Sequence, residues 1–262
     1  MSDEGSFSDW VDVYDSLVDW PRRLAREEPF YRRWFQATGV RRLVDVACGT
    51  GHHAAMFHRW QIEVQGADVS SEMIERARQL HGTSATLHWR VRSFEEPIDA
   101  GSPFDAALCV GNSLALAATP EAVRRAIQQM LAAVRPGGLV VVHLLNLWSL
   151  PDGPCRWQKC FRMVGQRGEL LVVKGVHRSG SMGYVDLIVM TDDRPPRLES
   201  QSAELLGLEA IDLESAVQSS GATRVEFYGN YDGQPYQRET SVDLIMVAWR
   251  DAEHGDHHDK RT

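Results

Sequence analysis

Between residues 41 and 145 the chain alternates short apolar runs with longer amphipathic stretches, and this alternation restricts its fold more than any other feature. The runs at 43–46, 63–68, 86–91, 104–110 and 139–145 have strand length, while the stretches at 54–60, 72–80 and 121–134 space their apolar residues as helices do. Strand, helix and strand in repetition build right-handed crossovers and a mostly parallel sheet, which takes its ligands at the carboxyl ends of the strands. The stretch at 121–134 is expected to stop at Arg135-Pro136-Gly137-Gly138, which turns the chain into a fifth strand.

The flanks carry other patterns. Residues 1–40 place aromatic and apolar positions, among them Trp10, Tyr14, Leu17, Tyr31 and Trp34, at helical spacing, and Pro21 and Pro29 divide them into two or three short helices. Beyond residue 150, runs at 169–176, 183–191 and 197–206 read as antiparallel strands between Gly-rich and Pro-rich turns. A helix at 212–220, a strand at 225–228, a loop at 229–240 and a strand at 242–249 follow.

Composition narrows the ligand. With 262 residues, 43% hydrophobic and 24% charged, the chain is that of a globular protein, and no stretch approaches 18 uninterrupted apolar residues. Membrane spanning is therefore not expected, and with residues 1–6 acidic and no apolar run after them, export is not expected either. The net charge of −8, with arginines dispersed among acids, disfavours a nucleic-acid partner. Cys48, Cys109, Cys155 and Cys160 show no metal-ligand spacing, and the adjacent His52 and His53 cannot face one ion from a helix, so no metal is expected. A cytoplasmic protein with a small-molecule ligand is the expectation, and nothing in the sequence excludes a homo-oligomer.

The chemistry is concentrated in Val44-Asp45-Val46-Ala47-Cys48-Gly49-Thr50-Gly51-His52, between the first strand and the first helix of the alternating region. Gly49 and Gly51 allow a ligand close to the backbone. A dinucleotide loop occupies the same place, but Asp45 would repel a pyrophosphate and attract a cation, and Ala54 stands where a third glycine would be. Asp68, ending the second strand, is placed to grip both hydroxyls of a ribose, which fits a nucleoside ligand of either class.

The run D-V-A-C-G-T-G, the strand-end Asp68, Gly111-Asn112-Ser113 after the fourth strand and Val134-Arg-Pro-Gly-Gly138 before the fifth together resemble the class I S-adenosylmethionine-dependent methyltransferases. The first motif of that family is an acid followed by x-G-x-G-x-G, with Ala47 here in place of the first glycine. More narrowly, the motifs, which cover roughly residues 41–147, resemble those of glycine and sarcosine N-methyltransferases. The layout is similar to that of aminosugar N,N-dimethyltransferases.

The resemblance implies an α/β, Rossmann-like seven-stranded sheet whose last strand is antiparallel. It divides the chain into an N-terminal helical cap (1–40), a cofactor-binding core (41–150), a β-rich insertion (151–206), a completion of the sheet (207–250) and a disordered tail (251–262). It implies that Ala47, Gly49 and Gly51 line the methionine end of S-adenosylmethionine, that Asp68 holds the ribose, that Val69 and Met73 flank the adenine and that Val110 continues the wall. Ser93, followed by Phe94, stands where many members place an acid near the adenine amino group. Asn112 would touch the acceptor, and Tyr14 would close the site on a lid formed by the N-terminal helices.

His143, near the carboxyl end of the fifth strand, is a candidate base or donor, and Tyr231, Asp232 and Tyr236 are candidates for the same pocket. Leu145 replaces the arginine with which the glycine enzymes clamp a carboxylate, and Leu116 replaces a histidine, so glycine is not the expected acceptor. Methyl transfer to nitrogen on a small polar molecule is expected. The alternatives are transfer to oxygen, or cofactor binding without catalysis.

Overall fold

The computed structural model describes residues 10–99, 101–165 and 168–251, so the reading of the tail beyond Asp251 lies outside the described residues. Two helices, α1 (Trp10–Ser16) and α2 (Trp20–Thr38), precede the alternating region. That region runs β1 (Arg42–Asp45), α3 (His52–Arg59), β2 (Glu63–Asp68), α4 (Ser71–His81), β3 (Leu87–Val91), β4 (Phe104–Cys109), α5 (Pro120–Ala133) and β5 (Val134–Leu145). A meander of β6 (Arg156–Gly165), β7 (Gly168–Ser179), β8 (Met182–Thr191) and β9 (Leu198–Leu206) follows, and α6 (Ala210–Gln218), β10 (Ala222–Tyr228) and β11 (Asp243–Arg250) close the chain.

The first sheet has seven strands in the order β10-β11-β5-β4-β1-β2-β3, with β1 to β5 paired in parallel and β11 antiparallel to both β5 and β10. Both faces are covered. Val44, Ala107, Val140 and Val142 pack with α5 and α6, while Leu43, Ala106, Leu108 and Val141 pack with α2, α3 and α4. A parallel sheet covered on both faces needs apolar residues at successive positions, which is why its strands read as continuous runs.

The helices start where side chains replace missing partners. Ser70 accepts from the Met73 N–H at the head of α4, and Thr119 accepts from the Ala122 N–H at the head of α5. On α2, Asp19 accepts from the Arg22 N–H and Pro21 sits in the first turn, where its missing N–H costs nothing. The expected break at Pro29 does not occur: α2 continues through it to Thr38. Burial of Phe30, Tyr31, Trp34 and Phe35 against the first sheet outweighs one lost hydrogen bond.

The four-stranded second sheet is entirely antiparallel. Leu170, Val172, Leu187 and Val189 pack on Val13 of α1 and on Leu17 just beyond it, while Val176 and Leu205 join the core beside α5 and α6. Its first strand, β6, is absent from the reading of the sequence, because it is an edge strand with mostly exposed positions and no run of buried residues to mark it. No described helix is long and apolar enough to cross a membrane.

Candidate functional site

Asp45 ends β1 with 1% of its surface exposed, and among the described residues neither carboxylate oxygen has a hydrogen-bond partner. Burial pushes its pKa up to about 7; the Ala47 backbone N–H, close by but not aligned as a hydrogen bond, opposes the rise, the Asp68 carboxylate adds to it and the Arg23 guanidinium reduces it. A buried, unpartnered carboxylate is costly unless a cation reaches it. This is the group an ammonium or sulfonium ligand would satisfy.

The loop after β1 lies against the end of β2. The Gly49 N–H donates to Asp68 Oδ2 at 2.9 Å and the Ser70 N–H donates to Asp68 Oδ1 at 3.0 Å, which fixes the carboxylate and leaves each oxygen a further lone pair for a hydroxyl. The two glycines of the loop serve different ends. Gly49, at φ +53°, faces open space, whereas a Cβ on Gly51, at φ +83°, would lie 2.5 Å from the Trp89 ring. Gly51 is therefore required by packing as well as by its left-handed backbone.

Around this centre, Val69 is 73% exposed just beyond Asp68, Met73 is half-buried in the first turn of α4, and Ala47 and Val110 lie in the two cores beside the strand ends. Ser93 Oγ accepts from the Glu95 N–H at 3.3 Å, and Phe94 packs against the core of α5.

His143 is engaged at both ring nitrogens. Its Nδ1 accepts from the Gly111 N–H at 3.2 Å, so the ring proton resides on Nε2, which faces Asp243 Oδ1 at 3.1 Å. Both nitrogens are committed and the ring is only 8% exposed, so His143 positions the turn after β4 and is not free to take a proton from an acceptor. Asn112, at φ +76°, closes the same turn: its N–H donates to the His143 carbonyl and its side-chain oxygen accepts from the Leu145 N–H. Only its amide NH2 remains for an acceptor.

Tyr14 is also placed differently. It is 37% exposed and its hydroxyl donates to Gln201 Oε1 on β9 at 3.0 Å, a joint between α1 and the second sheet. The N-terminal helices contact the loop after β1. Asp15 Oδ1 accepts from Thr50 Oγ1 at 2.6 Å and lies 3.0 Å from both Trp20 Nε1 and His52 Nε2, which ties the α1–α2 junction to the glycine loop. In the late loop, the Tyr231 ring lies 5.3 Å from the His143 ring, tilted by 40°, Tyr236 donates to Asn146 Oδ1 at 3.1 Å and Asp232 is exposed, outside this group.

The sequence reading misses a buried network on α2. Arg23 Nε donates to Glu27 Oε1 at 2.8 Å, and Glu27 Oε2 lies 2.7 Å from His53 Nε2. Burial raises the Glu27 pKa, but His53 and Arg23 outweigh it and hold the carboxyl at about 2. The Arg23 guanidinium also lies 3.8 Å from where a Cβ on Gly111 would stand, at the carboxyl edge of the sheet. Tyr31 and Tyr231 meet hydroxyl to hydroxyl at 3.3 Å beside it. The signal was present: Glu27 shares the helical face of Phe30, Tyr31 and Trp34, where a charge needs a partner.

Together, an unpaired carboxylate, a glycine loop open at Gly49 and a second carboxylate fixed by backbone N–H groups can hold a ligand that is cationic at one end and carries hydroxyls at the other. A family model described as a methyltransferase domain matches residues 43–138. The glycine/sarcosine N-methyltransferase of Parasynechococcus marenigrum (strain WH8102) is 31% identical over 152 residues, 55% of this chain and 52% of that one. The chain spans about half the length of the curated relatives it matches. The sugar N-methyltransferase KedS8 from Streptoalloteichus sp. ATCC 53650 superposes with a TM-score of 0.75 at 23% identity, over 96% of both chains. The S-adenosylmethionine-bound amino pentose methyltransferase CalS10 from Micromonospora echinaspora gives 0.70 at 22% identity, over 95% of this chain and 100% of that one. At these identities the structural likeness is one of fold. The sequence match places a methyltransferase domain at residues 43–138, inside a fold shared with methyltransferases of known structure.

Proposed function

We propose that the protein transfers the methyl group of S-adenosylmethionine to a nitrogen atom of a small polar acceptor. The observation that carries this reading is Asp45, a buried carboxylate whose two oxygens lack partners among the described residues at the mouth of the glycine loop. When bound, the cofactor supplies a methyl group on a positively charged sulfur. Asp45 meets its cationic end, Asp68 takes the ribose hydroxyls, Gly49 lets it approach the backbone, and Ala47, Gly51 and Val110 complete the wall. Val69 and Met73 flank the adenine, with Ser93 and Phe94 at its edge. Arg23, beside Gly111, offers a guanidinium to a carboxylate.

For such an in-line transfer the protein mainly aligns the acceptor and excludes water. Asn112 offers its amide NH2 to the acceptor. An oxygen acceptor needs a general base, and His143 has both nitrogens engaged, whereas an amine that arrives neutral needs none at the transfer step. Nitrogen is favoured on this ground. The net charge of −8 supports a small molecule rather than a nucleic acid as acceptor, and free thiols at Cys48, Cys109, Cys155 and Cys160 support a reducing cytoplasm.

The test is calorimetric titration with S-adenosylmethionine and with a nicotinamide dinucleotide, followed by a methyl-transfer screen over amines, amino sugars and phenols. Binding of the first nucleotide alone and transfer to an amine are expected. Transfer to phenols with no amine methylated would overturn the nitrogen reading.

A further inference from the structure

On the second sheet, away from the cofactor loop, strand pairing brings together three side chains that are far from any ligand motif in sequence. Cys155 immediately precedes β6, His177 is on β7 and Asp186 is on β8, and one donor atom from each lies within 4.8 Å of the others. We propose that these three residues bind a zinc ion that fastens the entry into β6 to the two inner strands.

The register explains the convergence. Asp186 pairs with Gly175, and His177 is two residues further along β7, so both side chains leave the same face of the sheet. This face is opposite the one bearing Val176 and Leu187, which packs inward. Glycine at 175 makes room for the sulfur, since a Cβ there would lie 2.5 Å from Cys155 Sγ.

The two strand donors are held in place for an ion. His177 Nδ1 is buried and lies 3.0 Å from Asp186 Oδ2 without hydrogen-bond alignment, so it is an enclosed nitrogen with no partner among the described residues. Tyr184 stacks on the imidazole at 4.9 Å and 14°, which fixes the ring plane. Ser202 Oγ donates to Asp186 Oδ1 at 2.8 Å, orienting the carboxylate with Oδ2 toward the imidazole. Sulfur, nitrogen and oxygen donors together suit zinc, whose bond lengths place tetrahedral ligands about 3.3–3.6 Å apart, so closing the separations, which are at most 4.8 Å, to that spacing completes the site. Three protein ligands leave a fourth position for water.

The test uses the full chain, stripped with a chelator and titrated with cobalt(II) and then zinc(II). Three histidines in the terminal segment, His254, His257 and His258, are a competing attraction for metal but bring no sulfur. The diagnostic signal is therefore the near-ultraviolet thiolate-to-cobalt charge-transfer band. One cobalt per chain with this band, displaced by zinc, is expected. Cys155→Ser should abolish the band, Asp186→Asn should weaken zinc binding at least tenfold, Ser202→Ala about tenfold, and Cys160→Ser should change nothing. Cobalt uptake without the band, or a band that survives Cys155→Ser, overturns the proposal. Should Cys155→Ser not fold, the band in Asp186→Asn at unchanged affinity overturns it equally. Neither outcome bears on the methyltransferase reading, which calorimetry with S-adenosylmethionine tests separately.

Discussion

The two sheets place their polar residues in opposite ways. In β5 every residue from Gly138 to Leu144 is buried, and a polar group there, such as His143, must be paired or serve a ligand, whereas β6 is mostly exposed and its polar side chains face solvent. The first sheet thus concentrates its buried polar groups, Asp45, His143, Asp243, and Glu27 beside them, around the strand ends. The second sheet covers, and its inward face is apolar where it meets α1. The consequence is that substitutions at buried polar positions of the first region should cost far more than those at the joint between the regions.

The largest effect is expected at Glu27. Glu27→Ala leaves a buried His53 and a partly buried Arg23 without their shared partner, and breaking such a network costs about 3–5 kcal/mol. Chemical denaturation should show the loss. The pH dependence has a definite sign: the folded pKa of about 2 lies below the ordinary 4.5, so this stabilisation is complete above pH 4.5 and fades as pH falls toward 2. A variant with unchanged stability at neutral pH would mean that the network is not a structural anchor of α2.

Next is Asp68→Ala, which removes a carboxylate held by Gly49 and Ser70. Loss of hydrogen bonds to a charged group predicts S-adenosylmethionine binding weaker by about 1.5–3 kcal/mol in calorimetry, with little change in the melting transition. Unchanged affinity would remove Asp68 from the cofactor site.

These two residues also mark how far the sequence could be read. Asp68 is legible because a local pattern, strand end after a glycine loop, fixes its position. Glu27 is easily passed over, because four residues after Arg23 and beside Arg26 and Glu28 it reads as part of a solvated charged face, although it shares its helical face with Phe30, Tyr31 and Trp34. The parallel strands announce themselves through burial on both faces, while β6 has one exposed edge and no such mark. Pairings such as His143 with Asp243 join residues 100 positions apart and depend on the register of β11 against β5, which no local spacing encodes. For the same reason the Cys155, His177 and Asp186 cluster is invisible to ligand-spacing rules.

A smaller effect follows from Asp45. Its folded pKa of about 7 is above the usual carboxylate range, so in the free protein stability declines as pH rises from about 4 to 7. A cationic ligand prefers the ionised form, so S-adenosylmethionine affinity should rise about tenfold between pH 6 and pH 8, with proton release on binding near pH 6. Asp45→Asn should flatten this dependence. An equally steep profile in Asp45→Asn would assign the titration to another group.

The smallest effect tests the joint itself. Tyr14 is partly exposed and makes one hydrogen bond to Gln201, so Tyr14→Phe, which keeps the ring against Trp10, should cost about 0.5–1 kcal/mol and lower Tm by about 1–3 °C. If the hydroxyl only ties α1 to β9, Gln201→Leu should produce a similar loss and the double variant no more than the larger single one, because both remove the same bond. In that case kcat should stay within about twofold of the unaltered protein. A fall in kcat of tenfold or more with Tm unchanged would instead put the hydroxyl at the reaction centre during turnover, and would require α1 to leave Gln201 when the acceptor binds, against the hold that Asp15 keeps on Thr50 and His52.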